Sequence, residues 1–522
     1  MTDIQPGGLL RTGQRAQWTI PQLLVIAGVF LLLYLPFPSI DYDANGVIEA
    51  TDVETGRRIS PNHLLYTLLG RGLFAFAQTL GYQGKAIHIL QAFNALCGAV
   101  GVALACVAFV KLGASKRAAL AAAGLWGTSF IYWYYSTDVA YVTLASVFTA
   151  AALACCASLM ESKTESNSVS RSILLGLSVS LAILTFQMLV FLVPVMLWPL
   201  RHRVREATSF LLTTGLIVGV TYLTFGLLAG QSTPIALLRW TAGYAGGHIP
   251  EWGRFEVGRL AVAGSAALRS FQWDVFGWGS EILRNPFRPF VWRLGSGTVC
   301  FIALAALTFI GSIRGFVRRD SKVIFMTAAY LIFCPFIIWF DPTASYWFLV
   351  PNLFLCALAA RVWGPWVARP LGFAVVFGGV TVMAVATFVS WVWNKHIDPG
   401  VVGRKVACIA SNVDPGDTVI ATDWTWPATL EYFHGIQSVQ VIDLAASMHD
   451  RDKLFDHITD KIRDARQNEQ EVFIVDPSSY NREHLAWLAE QTQFSTSDFE
   501  RFPGSVAFQC EDAKFRKVEE PR

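Results

Sequence analysis

Acidic side chains that could act as a catalytic base are concentrated in one short segment of the chain. Asp41-Tyr42-Asp43 is followed closely by Glu49, Asp52 and Glu54. A carboxylate held at a membrane surface can take the proton of an acceptor hydroxyl while a lipid-borne substrate lies beside it. Water-facing loops are commonly acidic as well, so these residues indicate a candidate site and not yet an activity. Asp41, which is nearest the preceding apolar segment, is slightly favoured over Asp43 as the base.

Arginines are the candidate ligands for a phosphate group, because the planar guanidinium donates two parallel hydrogen bonds to it. A segment rich in Arg and Trp supplies Arg239, Arg254 and Arg259, with Arg57 and Arg58 as further candidates. The same residues could instead anchor the chain among lipid headgroups, where Arg and Trp are common. Both interpretations place this segment at a membrane surface.

The remaining candidate substrate-binding residues are histidines, tyrosines and one further acid. His63 and His248 could contact a sugar or a metal ion, or could be ordinary hydrogen-bonding residues. Tyr346 and Trp347 could stack on a sugar or a lipid, or belong to an interfacial aromatic belt. Tyr66, the last residue of the segment 61–66, is also a candidate substrate-binding residue. Asp138 lies in a short loop that faces the same space in the predicted topology. No residues are assigned as metal ligands.

The elements that must position these residues are membrane helices. The 522 residues are 53% apolar and only 15% charged, with a mean hydropathy of +0.44, which is too apolar for a water-soluble protein of this length. Apolar segments long enough, or nearly so, to cross about 30 Å of hydrocarbon predict about 11 transmembrane helices. They are residues 19–37, 86–110, 118–135, 139–160, 172–186, 188–200, 207–229, 295–313, 323–340, 344–361 and 371–393.

The distribution of Lys and Arg predicts the orientation of these helices. Residues 172–200 could form one tilted helix or two short helices that meet near Gln187. Only the second interpretation places every short basic loop on one side, which the positive-inside rule assigns to the cytoplasm. The N-terminus is then cytoplasmic, and the loops 38–85 and 231–295 and the C-terminal tail are exterior.

The tail changes both charge and periodicity. Residues 1–393 carry a formal charge of +11 and residues 394–522 a charge of −8. An acidic domain argues against nucleic acid as a partner, since phosphate binding needs a basic surface. Short apolar runs at 417–423, 439–445 and 471–476 alternate with amphipathic stretches at 427–434, 451–467 and 481–491, which predicts a small, mostly parallel α/β domain. Cys408 and Cys510 bracket this domain and could form a disulfide in an oxidising exterior.

Several motifs resemble the GT-C superfamily of membrane glycosyltransferases, in pattern the aminoarabinose and protein mannosyl transferases. Asp41-Tyr42-Asp43 after the first helix is similar to that superfamily's acidic signature, and residues 61–66 resemble its His/Pro-Leu-Tyr segment. Residues 176–185 look like its Gly-Leu-Ala-x-Leu-Thr-Lys helix, with Phe186 in place of the Lys. Residues 346–351 look like its Arg-Tyr-x-x-x-x-Pro element, with Ser345 in place of the Arg.

This resemblance implies an enzyme of the cell envelope, in the inner (plasma) membrane with a periplasmic or extracellular tail. It would transfer a hexosyl or pentosyl group from a polyprenyl-phosphate donor to a glycan, lipid or protein acceptor, with inversion and with Asp41 or Asp43 as general base. Members with and without a divalent metal are known, so no cofactor is assigned and a divalent metal remains compatible.

Two other function classes remain as alternatives. A transporter or flippase of a lipid-linked molecule would also need many helices and an Arg-lined exterior cavity, although no Asp, Glu, Lys or Arg lies deep in any predicted span, as ion-coupled transport normally requires. A membrane scaffold whose tail binds another protein is the third. An exterior acid is indispensable only to the enzyme.

Overall fold

The computed structural model describes residues 17–56, 59–161, 168–242, 256–272, 289–423, 425–441, 444–445, 451–479, 485, 489 and 496–519, apart from the side chains of 289–294 and 496–497. The helices before residue 273 are Ile20–Tyr34, Ala44–Thr55, Leu64–Thr79, Ala86–Lys111, Lys116–Gly127, Phe130–Thr137, Tyr141–Glu161, Ser168–Thr185, Leu192–Leu197, Val204–Leu228, Pro234–Ala242 and Gly258–Phe271. Those that follow are Pro289–Val317, Ser321–Leu331, Cys334–Phe340, Leu349–Val367, Pro370–Thr387, Trp393–Ile397, Gly400–Ala410, Thr425–His434 and Arg451–Gln467.

Within these residues, 8 helical segments are long and apolar enough to cross a membrane. They are Ala86–Lys111, Tyr141–Glu161, Ser168–Thr185, Val204–Leu228, Gly295–Val317, Ser321–Phe340, Ser345–Val367 and Pro370–Ala410. Ile20–Tyr34 and Gln187–Leu200 are apolar but shorter, and Lys116–Gly127 and Phe130–Thr137 occupy the predicted span 118–135. The protein is therefore a multi-pass α-helical membrane protein, and the total of 11 spans stays a prediction.

The predicted interruption near Gln187 is present and reverses the chain. The helix Ser168–Thr185 ends at Phe186, whose backbone is extended, and two short turns of helix follow. The guanidinium of Arg203 donates to the carbonyl of Leu159 at 2.8 Å, so residue 203 lies at the same end as the start of that helix. One uninterrupted helix over 172–200 could not return the chain to this end.

The predicted cytoplasmic loops meet at one end of the helix bundle. Lys322 forms an ion pair with Glu161 at 3.1 Å and donates to the carbonyl of Lys111. Arg361 pairs with Asp320 at 2.9 Å. The helix Ala86–Lys111, whose 26 residues span about 39 Å, separates this basic end from the acidic motif. Which end faces the cytoplasm stays a prediction from the positive-inside rule.

The C-terminal tail forms the predicted α/β domain, with two more strands than the sequence indicated. The strands are β1 (Thr418–Ala421), β2 (Gln437–Gln440), β3 (Val472–Val475), β4 (Gly504–Cys510) and β5 (Ala513–Val518), in the order β2-β1-β3-β5-β4. The β2-β1-β3 part is parallel, as predicted, but β5 and β4 add an antiparallel hairpin. The predicted strand 439–445 starts earlier and ends at Gln440, and most of the predicted helix 481–491 lies outside the described residues.

A disulfide joins Cys408 to Cys510, with Cα atoms 5.7 Å apart. It connects the helix Gly400–Ala410, which follows the last membrane segment, to the end of strand β4. The bond thus closes almost the whole tail into one loop. Disulfides persist in oxidising compartments, which agrees with the predicted exterior location of the tail.

Candidate active site

The helix Ala44–Thr55, called the acidic helix below, begins directly at the acidic motif. Asp43 is its N-cap, and the Asp43 carboxylate accepts a hydrogen bond from the backbone N–H of Asn45 at 2.9 Å. The helix ends at Gly56, whose φ of 67° is readily adopted by glycine. Its apolar face is buried against the neighbouring helices, at the end of the bundle opposite the basic loops, through Val47, Ala50 and Val53. The backbone at Asp43 is therefore held by a packed helix and not by a free loop.

Asp138 is a fully buried carboxyl group that contacts the backbone of Asp43. One carboxylate oxygen accepts the backbone N–H of Val139 at 2.7 Å, and the other accepts that of Asp43 at 3.3 Å. Burial raises the pKa of Asp138 to about 7; nearby Lys395 lowers this pKa, the charge of Asp43 raises it, and the two N–H donors lower it. A carboxyl group that titrates near neutral pH thus lies beside the acidic motif.

Asp41 is engaged by residues that lead into the tail. The Lys395 ammonium lies 3.0 Å from the Asp41 carboxylate. It also donates to the Tyr134 hydroxyl at 3.2 Å and lies over the Tyr134 ring. Gly400 approaches the Asp41 carboxylate from the tail side, so closely that a Cβ there would lie 2.6 Å from one carboxylate oxygen. Asp41 therefore connects the loop after the first helix to the start of the tail.

We expect Gly400→Ala to destabilise the protein more than Gly435→Ala does. Their φ angles are 69° and 70°, so each alanine has the same backbone strain of about 1–2 kcal/mol. Only at Gly400 does the new methyl group meet a side chain, the carboxylate of Asp41; nothing lies within 4 Å at Gly435. Thermal unfolding of the detergent-solubilised protein should show about 1–2 kcal/mol of additional loss for the Gly400 variant. Equal losses of stability for the two variants would mean that the Asp41 carboxylate can move away from the new methyl group at no cost.

His63 lies in a polar cluster with Glu49 of the acidic helix and with Thr67. The His63 ring lies 3.4 Å from the Glu49 carboxylate, which also accepts a hydrogen bond from the Thr67 hydroxyl. The ring stacks on Tyr141, with centroids 4.2 Å apart and planes 8° from parallel. The stack fixes the plane of the imidazole next to the cavity described below.

Tyr66 lies beneath the site. It is fully buried, and its hydroxyl donates to the Asn94 side chain at 3.1 Å. The Asn94 amide in turn donates to the carbonyls of Asp138 at 2.8 Å and Ala140 at 3.0 Å. In this structure Tyr66 supports the loop that carries Asp138, and it is not among the cavity-lining residues.

A small cavity brings the acidic helix together with three tyrosines. Two carboxylates, which can accept protons, line it together with aromatic and aliphatic side chains. Tyr346 reaches it next to Tyr135, with ring centroids 6.2 Å apart. The cavity is lined by Asp43, Asn45, Glu49, Tyr135, Val139, Ala140, Tyr141, Val142 and Tyr346. Asp43 and Tyr346 are thus brought together, while Asp41 is not part of this lining.

Phe186 occupies the position where the resemblance would have a lysine. It is buried and stacks on Trp347, with ring centroids 5.3 Å apart. Its ring centroid lies 5.1 Å from that of Tyr141. An aromatic cluster therefore stands where a cation would be expected. This cluster adjoins the His63–Tyr141 stack and extends the aromatic wall of the cavity.

The predicted arginines separate into different locations. Arg239 is exposed on the helix Pro234–Ala242, which packs near residues 61–63. The Arg259 guanidinium donates to the carbonyls of Ile338 at 3.3 Å and Trp339 at 2.7 Å. Arg254 and His248, like Arg57 and Arg58, lie outside the described residues.

No group of three or more His, Cys, Asp or Glu side chains suited to a metal ion occurs among the described residues. Both Asp138 oxygens already accept N–H donors, and Asp41 is paired with Lys395. These two carboxylates are thus engaged by hydrogen bonds and by an ion pair.

Lys395 and Tyr141 were not predicted as site residues, and Glu49 was predicted only as one of several acids in the candidate segment. Lys395 follows the last predicted span on the side where cations are few, and this lone cation among acids was a usable signal. Asp43 and Gly56 stand at the start and end of the acidic helix as N-cap and C-terminal glycine, which predicts a helix between them. That helix carries Glu49, but a spacing of six residues does not by itself place Glu49 beside Asp43. The role of Tyr141 depends on a stack that sequence spacing cannot reveal.

No protein-family model and no curated protein matches this sequence. Solved structures do match it. ArnT from Cupriavidus metallidurans bound to undecaprenyl phosphate has a TM-score of 0.54 and 13% identity, covering 95% of this chain and 97% of that chain. The Archaeoglobus fulgidus oligosaccharyltransferase in complex with Zn and sulfate has a TM-score of 0.51 and 14% identity, covering 95% of this chain and 72% of that chain.

At such low identity these similarities concern the fold. The match with ArnT runs over nearly the full length of both chains, including the soluble tail. It agrees with the order of the acidic, His/Pro-Leu-Tyr and Tyr-x-x-x-x-Pro motifs along the sequence. The chain therefore has the fold of the GT-C membrane glycosyltransferases.

Proposed function

We propose that this protein is a membrane glycosyltransferase that moves a sugar from a polyprenyl-phosphate donor to an acceptor on the exterior face of the membrane. The observation that carries the proposal is the cavity in which Asp43 lies beside Tyr135, Tyr141 and Tyr346. Carboxylates provide the base for such a reaction, and aromatic faces provide surfaces for a sugar ring. The GT-C fold is compatible with this chemistry, but a fold alone does not establish a function, so the proposal depends on the residues of the site.

In the proposed reaction, the Asp43 carboxylate accepts the proton of the acceptor hydroxyl. The acceptor oxygen forms a bond to the anomeric carbon of the sugar. The bond from that carbon to the phosphate oxygen breaks, and the polyprenyl phosphate leaves with the electron pair. Attack opposite the leaving group inverts the anomeric configuration.

Two observations favour Asp43 over Asp41 as the base. The Asp41 carboxylate is paired with Lys395 at 3.0 Å, so it is already engaged by a cation. Asp43 lines the cavity, and the buried carboxyl of Asp138 lies close to its backbone. Of the two carboxylates, only that of Asp43 belongs to the cavity in which the acceptor would bind. The slight preference for Asp41 from the sequence is therefore reversed in this proposal.

The donor is proposed to be a sugar linked to a polyprenyl phosphate, because the ArnT structure that shares this fold was determined with undecaprenyl phosphate bound. An apolar cavity among the membrane helices has the chemistry that an isoprenyl chain needs. It is lined in part by Phe271, Phe301, Leu304, Phe309 and Trp363. Arg239, exposed near residues 61–63, is the described arginine best placed to meet a phosphate from solvent.

The test is transfer of labelled sugar from a panel of polyprenyl-phosphate sugars to endogenous acceptor, in membranes with and without the protein. We expect labelled acceptor only where the protein is present. The same membranes should be assayed with EDTA and with added Mg²⁺, Mn²⁺ or Zn²⁺, since the oligosaccharyltransferase of similar fold was solved with Zn. Loss of transfer with EDTA and recovery with one ion would add a divalent metal to the proposal.

A flippase would give a different result. It would move the labelled lipid-linked molecule across the bilayer of reconstituted vesicles without changing it chemically. Translocation without transfer, with every donor on the panel, would overturn the glycosyltransferase proposal. A scaffold would do neither.

A further inference from the structure

The soluble tail contacts the first exterior loop on both sides of Asp43. The helix Thr425–His434, called the tail helix below, has two apolar faces. Trp426 and Leu430 point into the core of the tail. Tyr432 belongs to the apolar cluster that surrounds the acidic helix, and Phe433 packs against this cluster. The tail helix therefore connects the tail sheet to the element that begins with Asp43.

Tyr432 holds the C-terminal end of the acidic helix. Its hydroxyl donates to the Glu54 carboxylate at 2.5 Å and accepts the backbone N–H of Ile87 at 3.2 Å. The same Glu54 oxygen accepts the backbone N–H of Ala86 at 2.6 Å, and Lys85 donates to the Tyr432 carbonyl at 2.9 Å. Tyr432 is only 6% exposed, so removing its hydroxyl would leave the backbone N–H of Ile87 without this buried partner, which is costly.

The N-terminal side of the acidic helix is held by three further contacts, from the tail helix and from the segment that leads into the tail. The Phe433 ring stacks on Tyr42, the residue between the two aspartates, with centroids 5.0 Å apart. Lys395 pairs with Asp41, and the backbone of Gly400 abuts the Asp41 carboxylate. Residues on either side of Asp43, and the far end of its helix, are thus fixed by the tail and by the segment leading into it.

We propose that the tail is a positioning element of the active site, and that Tyr432 and Phe433 fix the acidic helix so that the Asp43 carboxylate has its catalytic geometry. This inference rests on the proposed function of Asp43. Tyr432 and Phe433 are positioning residues, since they act through the acidic helix. A misplacement of about 1 Å by a distant substitution can lower a rate by about a hundredfold.

The first test compares Tyr432→Phe with Tyr82→Phe in the sugar-transfer assay. Both changes remove one phenolic hydroxyl near Lys85, but the Tyr82 hydroxyl donates only to the Lys85 carbonyl and makes no bond to the acidic helix. We expect Tyr432→Phe to lower kcat by about tenfold, with KM for the donor changed by less than about twofold. Tyr82→Phe should keep wild-type kcat. Equal kcat for wild type and Tyr432→Phe would overturn the role of the Tyr432 hydroxyl.

A second pair separates positioning from general loss of fold. Phe433→Trp keeps an aromatic face for Tyr42, whereas Phe433→Leu keeps an apolar side chain but no stack. We expect the Trp variant to keep most of kcat and the Leu variant to lose about three- to tenfold, at matched thermal stability. Equal kcat for both would contradict the stack as a positioning contact, and this pair decides the matter if Tyr432→Phe folds poorly.

The wild-type assay distinguishes this inference from the proposed function. If the wild-type protein transfers no sugar from any donor, the proposed function fails and this inference fails with it. If the wild type transfers sugar and the tail variants transfer it equally well, only the positioning role of the tail is wrong.

Discussion

Asp43→Asn is expected to abolish sugar transfer, with kcat at least about 10³-fold below wild type. General-base catalysis contributes about 10²–10⁴-fold to a rate, and an amide cannot accept the proton of the acceptor hydroxyl. The fold should survive, because the Asn oxygen can still accept the N–H of Asn45 that Asp43 accepts now, and Asn is as good an N-cap as Asp. Transfer should be measured in membranes with matched protein amounts, with thermal unfolding as the check on folding.

Asp41→Asn is the matched control. It leaves the cavity lining unchanged but removes the carboxylate that pairs with Lys395. We expect a reduction of kcat by no more than about tenfold, because the loss acts through the position of the loop. If Asp41→Asn abolishes transfer while Asp43→Asn retains it, the assignment of the base is reversed. If both variants are as active as wild type, neither residue is the base.

Much of the membrane part could be predicted from the sequence because two strong physical signals act there. Apolar segments of sufficient length must be helical in lipid, where every backbone polar group needs an internal partner. The bias of Lys and Arg predicted the reversal near Gln187, which the contact from Arg203 to Leu159 requires. The signals weaken where helices are short, which is why Lys116–Gly127 and Phe130–Thr137 were predicted as one span, 118–135.

The tail hairpin was missed although a signal for it exists. Strand β5, Ala-Lys-Phe-Arg-Lys-Val, alternates buried and more exposed positions over much of its length, as a strand with one buried face does. Its sequence is too polar to stand out in a search for apolar runs. The parallel strands β1 and β3 were found because they are buried along their whole length and therefore continuously apolar.

The site was only partly predictable because its key contacts join residues that are distant in sequence. Lys395 pairs with Asp41 across 354 positions, and Tyr432 bonds to Glu54 across 378. Sequence spacing along one helix gives no information about such pairs. The short-range features, namely the Asp43 N-cap and the Gly56 terminus, are the ones that local sequence does encode.

The rate of transfer is expected to fall steeply as pH drops below about 7. The raised pKa of Asp138 means that its carboxyl is neutral in acid and ionised above about 7. The ionised form binds the backbone N–H of Asp43 more strongly and so holds Asp43 in its place at the start of the acidic helix. Between pH 8 and pH 5 the ionised fraction of Asp138 falls by about a hundredfold, and kcat should follow it.

The titration of Asp138 cannot lower the rate at acid pH by unfolding the protein. Its pKa is raised in the folded protein above the ordinary value of 3.8, so the folded state binds more protons between about pH 4 and pH 7. The contribution of Asp138 to the free energy of unfolding therefore decreases as pH rises through this window. Activity and this part of the stability should change in opposite directions, and thermal unfolding at each pH distinguishes them.

Lys395→Met tests whether the titration of Asp138 causes the pH dependence of the rate. The Lys395 cation lowers the pKa of Asp138, so its removal must move the midpoint of the rate profile to higher pH, while the Met side chain keeps apolar contact with Tyr134. Asp138→Asn should flatten the profile, since the charge that titrates is gone. A Lys395→Met midpoint that stays in place or moves to lower pH would mean that Asp138 does not control the rate, and the neutral-range titration would then belong to another group.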